Sequence, residues 1–386
     1  MNTLLLRNAR LVLPARIAEP ATLLIEQGRI ARILETGAEA ITADEVIDLE
    51  GLTVFPGFID IHIHGAAGID TLDADAVGLA RVSEFLAQHG VTAWLPTLVP
   101  APDEQYQAAI RAIDELMTQP GSHARALGVH YEGPFVNSEQ CGALHREYFK
   151  TFKTAADLDA LPRLQNDQAR HMTTVAPEIE GGVALIKELK RRNWVVSIGH
   201  TKASVEVLDQ ALAAGARHMT HFMNAMTPLH HRAVGAVGWG LVHHDVTCDI
   251  IADGVHINRE VLKLIVATKR AERVSLISDA IAAAGKGDGQ YEIWGEQISV
   301  TNGRTQNTKG SIAGSVITML DAVRMMLSLG VNEEAVARMA SLNPARLLGV
   351  ERECGSIEVG KRADLVALDE EGKVRVTMIG GQLLKR

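Results

Sequence analysis

Phe58-Ile59-Asp60-Ile61-His62-Ile63-His64-Gly65 decides how this chain is read. The stretch has the pattern of a buried β-strand, and residues two apart on a strand point to the same face. His62 and His64 therefore project together from the strand's end, and Gly65 opens the turn that follows. Two adjacent imidazoles at a strand end make half of a metal site. The other half has to come from elsewhere in the chain.

Outward from this strand, apolar runs of strand length recur at Ala93–Leu98, Ala126–Tyr131, Met172–Ala176, Val195–Ile198, His218–Phe222, Cys248–Ala252 and Val274–Ser278. Helix-like segments lie between most of them: Ala76–Gln88, Glu104–Met117, Gly182–Arg192, Ser204–Ala214 and Arg259–Lys269. In Ser204–Ala214 the residues Val205, Leu208, Ala211 and Leu212 fall on one helical face. Eight apolar strands alternating with helices predict buried parallel structure, and their spacing predicts a (β/α)₈ barrel rather than an open sheet. The two chain ends have another texture. Short strands and turns fill residues 1–55 and return after residue 350, so both termini are expected to build one small β-domain around a barrel of residues 56–349.

Barrel enzymes build their sites from the carboxyl ends of their strands. Here those ends carry His62 and His64, Glu132, Glu178, His200, His221, Asp253 and Asp279. Ordinary solvated loop starts would carry Lys, Ser and Asn instead. Asp60 is expected to brace the first turn or to stand behind a metal ligand. Residues 285–311 are Gly-rich and polar around a hairpin (Tyr291–Trp294, Gln297–Val300), which suits either a flap near the site or a surface hairpin.

Composition narrows the partners. The 386 residues carry a net charge of −9 and only 4% aromatic side chains, which argues against nucleic acid. No apolar run approaches a membrane span, and Met1-Asn2-Thr3 opens no signal-peptide pattern. Cys141, Cys248 and Cys354 are too few and too scattered for a disulfide framework, so a cytoplasmic location is expected. An anionic substrate would need a local cluster of cations.

Pro56-Gly57 followed by Phe58–Gly65 resembles the first-strand signature of the amidohydrolase superfamily. His130-Tyr131-Glu132-Gly133-Pro134-Phe135, Gly199-His200-Thr201, Thr220–Met226, Ala252–His256 and Ser278-Asp279-Ala280 narrow the resemblance to its N-acetylhexosamine-6-phosphate deacetylase branch. The resemblance runs to Asn343-Pro344-Ala345-Arg346 and Gly360–Asp364. It implies a barrel with a small β-sandwich made from both termini. It also implies hydrolysis of the N-acetyl group of N-acetylglucosamine 6-phosphate, giving glucosamine 6-phosphate and acetate. The galactosamine epimer or another N-acyl substrate is the alternative.

By the same resemblance, a divalent metal, zinc or iron, is held by Glu132, His200 and His221, and His62 with His64 can hold a second ion. Imidazole and carboxylate donors suit both metals. Asp279 is the implied general base and acid, and His145 polarises the acetyl carbonyl. Ala143, Asn224, Ala225, His256, Ile312, Ala313 and Gly314 contact the substrate. Arg232 reaches the phosphate from the other subunit of a homodimer, where a guanidinium pairs with two phosphate oxygens. The family continues Arg-Glu-Pro-Gly at this point, whereas this chain reads Arg232-Ala233-Val234-Gly235. Other amidohydrolases often use a carbamylated lysine where Glu132 stands. A barrel without catalysis, serving as an assembly scaffold, would have eroded these ligands.

Overall fold

The computed structural model describes residues 3–35, 41–119, 121 and 123–384. Eight parallel strands, here β1 to β8, run Phe58–Ile63, Val91–Leu98, Gly128–Glu132, Arg170–Val175, Val195–Ile198, His218–Met219, Thr247–Ile251 and Val274–Ile277. Each pairs with the next, from Ile59 opposite Ala93 round to Ile251 opposite Ile277. The seam between β8 and β1 is bridged just past the strands: Asp279 N donates to His62 O at 2.9 Å, and His64 N to Ala280 O at 2.8 Å. All residues of β1 and β2 are buried, as strands enclosed on both faces require.

Helices flank the strands where the apolar spacing calls for them. Ser204 caps Val205–Ala214 by accepting from Val207 N, Leu208 and Ala211 are buried, and Gly215 ends the helix at φ +106°. The helix Gly235–Val242 has no amphipathic signature because nearly every residue in it is buried. Lys269 Nζ, itself buried, donates to Gly240 O and His243 O at its carboxyl end, each at 2.8 Å.

β6 departs from expectation. The run His218–Phe222 predicts a five-residue strand, yet the ladder holds only at His218 and Met219. Beyond it the chain swings into a positive φ of 30° at His221, and the Asp249 carboxylate accepts the His221 N–H. His218 completes this anchor, with Nε2 3.0 Å from Asp249 Oδ2 and Nδ1 2.7 Å from Thr247 Oγ1.

The termini form a second sheet. Leu365–Leu368 pairs antiparallel with Thr53–Pro56, which pairs in turn with Thr3–Val12. The outer strands on one side are Ile17–Glu26 and Arg29–Leu34, and on the other Val374–Ile379 and Gln382–Leu383. This sheet has its own core around Leu11, Leu23, Val54 and Met378. The strand Thr3–Val12 is interrupted by register shifts between Leu6 and Leu11 where it pairs with Ile17–Glu26. Gly57 N donates to Asp364 O at 2.9 Å, so the second sheet meets the barrel where β1 begins, far from the ends that carry the ionisable residues. Among the described residues, no helix is long and apolar enough to cross a membrane.

Candidate active site

Glu132 ends β3 and stands at the centre of a buried cluster. Its Oε1 lies 2.9 Å from His200 Nε2 and 3.0 Å from His221 Nε2, and those two nitrogens are 3.0 Å apart. Its Oε2 lies 3.2 Å from His64 Nε2, which is 3.2 Å from His62 Nε2. Asp279 Oδ1 faces the same pair, 3.5 Å from His62 Nε2 and 3.3 Å from His64 Nε2.

Four imidazole nitrogens converging on one carboxylate cannot all be satisfied by hydrogen bonds, since each ring nitrogen offers either a proton or a lone pair. Burial opposes the charge on Glu132, but hydrogen bonds from His200, His221 and His64 outweigh it and hold the carboxyl well below the usual range. Burial likewise disfavours charge on His64 and His221. Carboxylate partners nevertheless raise them, His64 to about 10 through Asp279 and Glu132, and His221 to about 9 chiefly through Glu132. Burial pushes His62 well down. The cluster demands positive charge at its centre. A divalent ion meets that demand with neutral imidazoles, and both His62–His64–Glu132 and Glu132–His200–His221 bring their ligand atoms within 4.8 Å of one another. The donor set fits a metal.

The surroundings fix these rings. His200 Nδ1 donates to Gln140 O at 2.7 Å, which leaves Nε2 as the lone-pair side. Asp60 Oδ2 accepts from Ser278 Oγ at 2.6 Å, and its Oδ1 lies 3.3 Å from both Ser278 N and His62 N. It thereby ties the end of β8 to the end of β1, and burial pushes its carboxyl up to about 7. His200, His221 and Asp279 all have positive φ, at 47°, 30° and 50°. Such backbone is costly for residues with a Cβ and concentrates at functional sites.

The cluster opens into a cavity of about 170 Å³. His64, Glu132, His200, His221 and Asp279 form its floor, and Ala143, Asn224, Ala225, His256, Ile312 and Gly314 line its sides. His256 Nδ1 is 2.6 Å from Asp253 Oδ2, so its other nitrogen is left for a ligand. That pairing, together with the Val255 and His256 N–H groups, keeps Asp253 below the usual carboxylate range despite burial.

Other candidates lie elsewhere. Ala313 packs beneath the wall, with Ile281 and Ile298. Arg232 is exposed on a turn where His230 N donates to Ala233 O at 2.9 Å, and it takes no part in the cavity wall. His145 lines a neighbouring cavity, and its Nε2 donates to Trp294 O at 2.8 Å. Glu178 ties loops together, accepting from Asn137 Nδ2 at 2.8 Å and Thr201 Oγ1 at 2.6 Å.

Leu144, Ile251 and Trp294 also line the cavity, although no spacing pattern singles them out. The hairpin that carries Trp294 is longer than the sequence announces. Gly289–Ile293 pairs with Glu296–Thr301, and a third strand, Arg304–Asn307, pairs with the latter.

Residues 53–384 match the model of the amidohydrolase family. The chain belongs to that family. It is 39% identical over 329 residues to an N-acetylgalactosamine-6-phosphate deacetylase of Escherichia coli O157:H7, covering 85% of this chain and 86% of the relative. It is 32% identical over 387 residues to an N-acetylglucosamine-6-phosphate deacetylase of Bacillus subtilis (strain 168), covering 99% and 97%. The crystal structure of N-acetylglucosamine-6-phosphate deacetylase from Pasteurella multocida superposes with a TM-score of 0.91 at 29% identity over 100% of both chains. A substituted form of the Mycobacterium smegmatis enzyme, in complex with N-acetyl-D-glucosamine-6-phosphate, gives 0.89 at 30% identity over 99% of both.

Proposed function

We propose that the protein hydrolyses the acetamide of an N-acetylhexosamine 6-phosphate, N-acetylglucosamine 6-phosphate first, releasing acetate and the amino-sugar phosphate. One observation carries this reading. The Nε2 atoms of His200 and His221 converge on Glu132 at 2.9 and 3.0 Å, with Asp279 facing the cluster, in a cavity also lined by His256 and Asn224. The relatives named as deacetylases of these sugars support the substrate class.

Glu132, His200 and His221 would hold one ion, zinc or iron, and His62 with His64 a second. The ion supplies Lewis acidity, which acidifies a water and polarises a carbonyl. The remaining work falls to the chain. Asp279 Oδ1 takes a proton from the attacking water and returns it to the departing amine nitrogen, so that amine rather than amide anion leaves. Asn224, Ala225, Ile312 and Gly314 position the sugar, with Ala143 and Ala313 as further candidates from the family resemblance. His256, its tautomer set by Asp253, meets a hydroxyl or phosphate oxygen. Arg232 would complete phosphate binding across a homodimer, since it stands clear of its own subunit's cavity. His145 would reach the acetyl carbonyl only after leaving Trp294 O. A cytoplasmic site of action fits the phosphorylated substrate.

The galactosamine epimer is the second reading, favoured by the higher identity to the Escherichia coli relative, 39% against 32%. Both readings meet one test: acetate release from the two N-acetylhexosamine 6-phosphates by protein stripped of metal and reloaded with zinc or iron. Metal-dependent release is expected, and the ratio of kcat/KM assigns the epimer. Inert protein with metal bound overturns the reaction class.

A further inference from the structure

Trp294 lines the cavity but has no role in the deacetylase reading. It occupies the tip of the hairpin, where Ile293 pairs with Glu296 across a two-residue turn. Trp294 has φ +54° and Gly295 φ +71°. Positive φ at both central residues is the type I′ pattern, which favours Asn, Asp or Gly at the first position. A tryptophan there is an outlier, and such outliers persist where the surroundings use them. Its ring stands edge-on to His64, with centroids 5.2 Å apart and planes at 83°. Its carbonyl is held by His145 Nε2.

Trp294 belongs to two cavities at once. One is the cavity over the Glu132 cluster. The other, about 220 Å³, lies beyond it and is lined by Leu72, Val99, Pro100, Ala101 and Tyr148 among others. Those residues follow β1, β2 and β3. Asn224 and His256, which line the first cavity, follow β6 and β7. In an eight-stranded barrel β2 stands across from β6, and β3 across from β7. A substrate held at β6 and β7 with its amide over the central cluster therefore points its acyl group toward Trp294 and the second cavity. Asp73 and Glu147 on the rim make that cavity hostile to phosphate, while Leu72, Val99, Pro100 and Ala101 give it one apolar side that suits a neutral chain.

We propose that Trp294 sets the size of the acyl group. Its indole walls off the second cavity, so that acetyl fits and longer acyl chains are excluded. This rests on the reading of the protein as an N-acyl amino-sugar phosphate hydrolase.

The test is kcat/KM of the metal-loaded protein and of Trp294→Ala on the N-acetyl, N-propionyl and N-butyryl amino-sugar 6-phosphates. In the unsubstituted protein, the step from acetyl to propionyl should lower kcat/KM by about tenfold or more, the range of one methylene in a closed pocket. Trp294→Ala should bring the three acyl groups within about threefold of one another. Adding Ala101→Leu, which refills the second cavity, should restore the discrimination. Trp294→Phe should fall between, and it carries the test if the alanine variant does not fold. Parallel loss on all three acyl groups would overturn the proposal and leave Trp294 a structural tip. If the unsubstituted protein releases acetate from neither N-acetylhexosamine 6-phosphate, the reaction reading fails, and the acyl wall falls with it.

Discussion

The barrel buries histidine in two ways. Along the strands, His130, His171 and His218 each find partners that satisfy them. His130 reaches Ile61 O at 3.2 Å and Thr174 Oγ1 at 2.9 Å, and His171 Nε2 accepts from Leu164 N at 3.1 Å. At the carboxyl ends, His62, His64, His200 and His221 crowd around Glu132 with nitrogen facing nitrogen, and the Nδ1 atoms of His62, His64 and His221 are buried without a partner. Burial pushes His130 down to about 3 and His171 to about 4, so both stay neutral at working pH. The lesson is that burial alone does not mark a ligand. Chemistry sits where buried imidazoles are left facing one another and a shared carboxylate.

The sharpest way to break this contrast is to remove the shared carboxylate. Glu132→Ala should abolish bound metal, measured by elemental analysis, and drop acetate release to background. If metal and turnover survive, the two histidine classes are not functionally distinct. Next comes Asp279→Asn. Loss of the proton acceptor should lower kcat by roughly 10²- to 10⁴-fold while metal content stays unchanged. A variant of near-normal rate would remove Asp279 from the reaction. A chelated protein should lose activity in the same way as Glu132→Ala and, unlike it, regain activity on adding metal.

A third location extends the comparison to an exposed loop. Arg232→Ala should raise KM for the phosphorylated substrate by about ten- to a hundredfold, the loss of a charge-assisted contact, with kcat little changed. An unphosphorylated N-acetylhexosamine should be turned over equally by both forms. Equal loss on both substrates would show that Arg232 does not read the phosphate.

These three locations were unequally legible in the sequence. The strands announce themselves because both faces are buried, so β1, β5 and β8 begin where the apolar runs begin, and β1 and β5 also end with them. Residues at strand ends inherit their place from the barrel, which is why His62, His64, Glu132, His200, His221 and Asp279 could be named together. What alternation cannot convey is the turn of the backbone after a strand. The positive φ at His200, His221 and Asp279 depends on long-range partners such as Asp249 and Ser315. Loops are harder still. His145 faces away from the cavity it was expected to serve because Trp294 O, 149 residues distant, holds its ring. The helix Gly235–Val242 gives no periodic signal because Ala236 to Leu241 are all buried and no polar face sets a period.

The smallest expected effect tests the other side of the contrast, the histidine satisfied in place. His171 is buried against Trp194, with ring centroids 5.0 Å apart, and burial with the nearby Arg163 charge lowers it to about 4. An unfolded chain protonates this histidine near its ordinary value of about 6.5. Between those values the unfolded state holds the extra proton, so stability falls as pH drops from about 6.5 towards 4 and is at its full value above that window. His171→Gln keeps an acceptor for Leu164 N but cannot titrate. Urea unfolding at pH 7 and pH 5 should show the unsubstituted protein losing more stability than the variant, by on the order of 1 to 2 kcal/mol. Parallel losses would mean that His171 is protonated in the folded state as readily as in the unfolded one, and burial along the strands would then not be what keeps these histidines neutral.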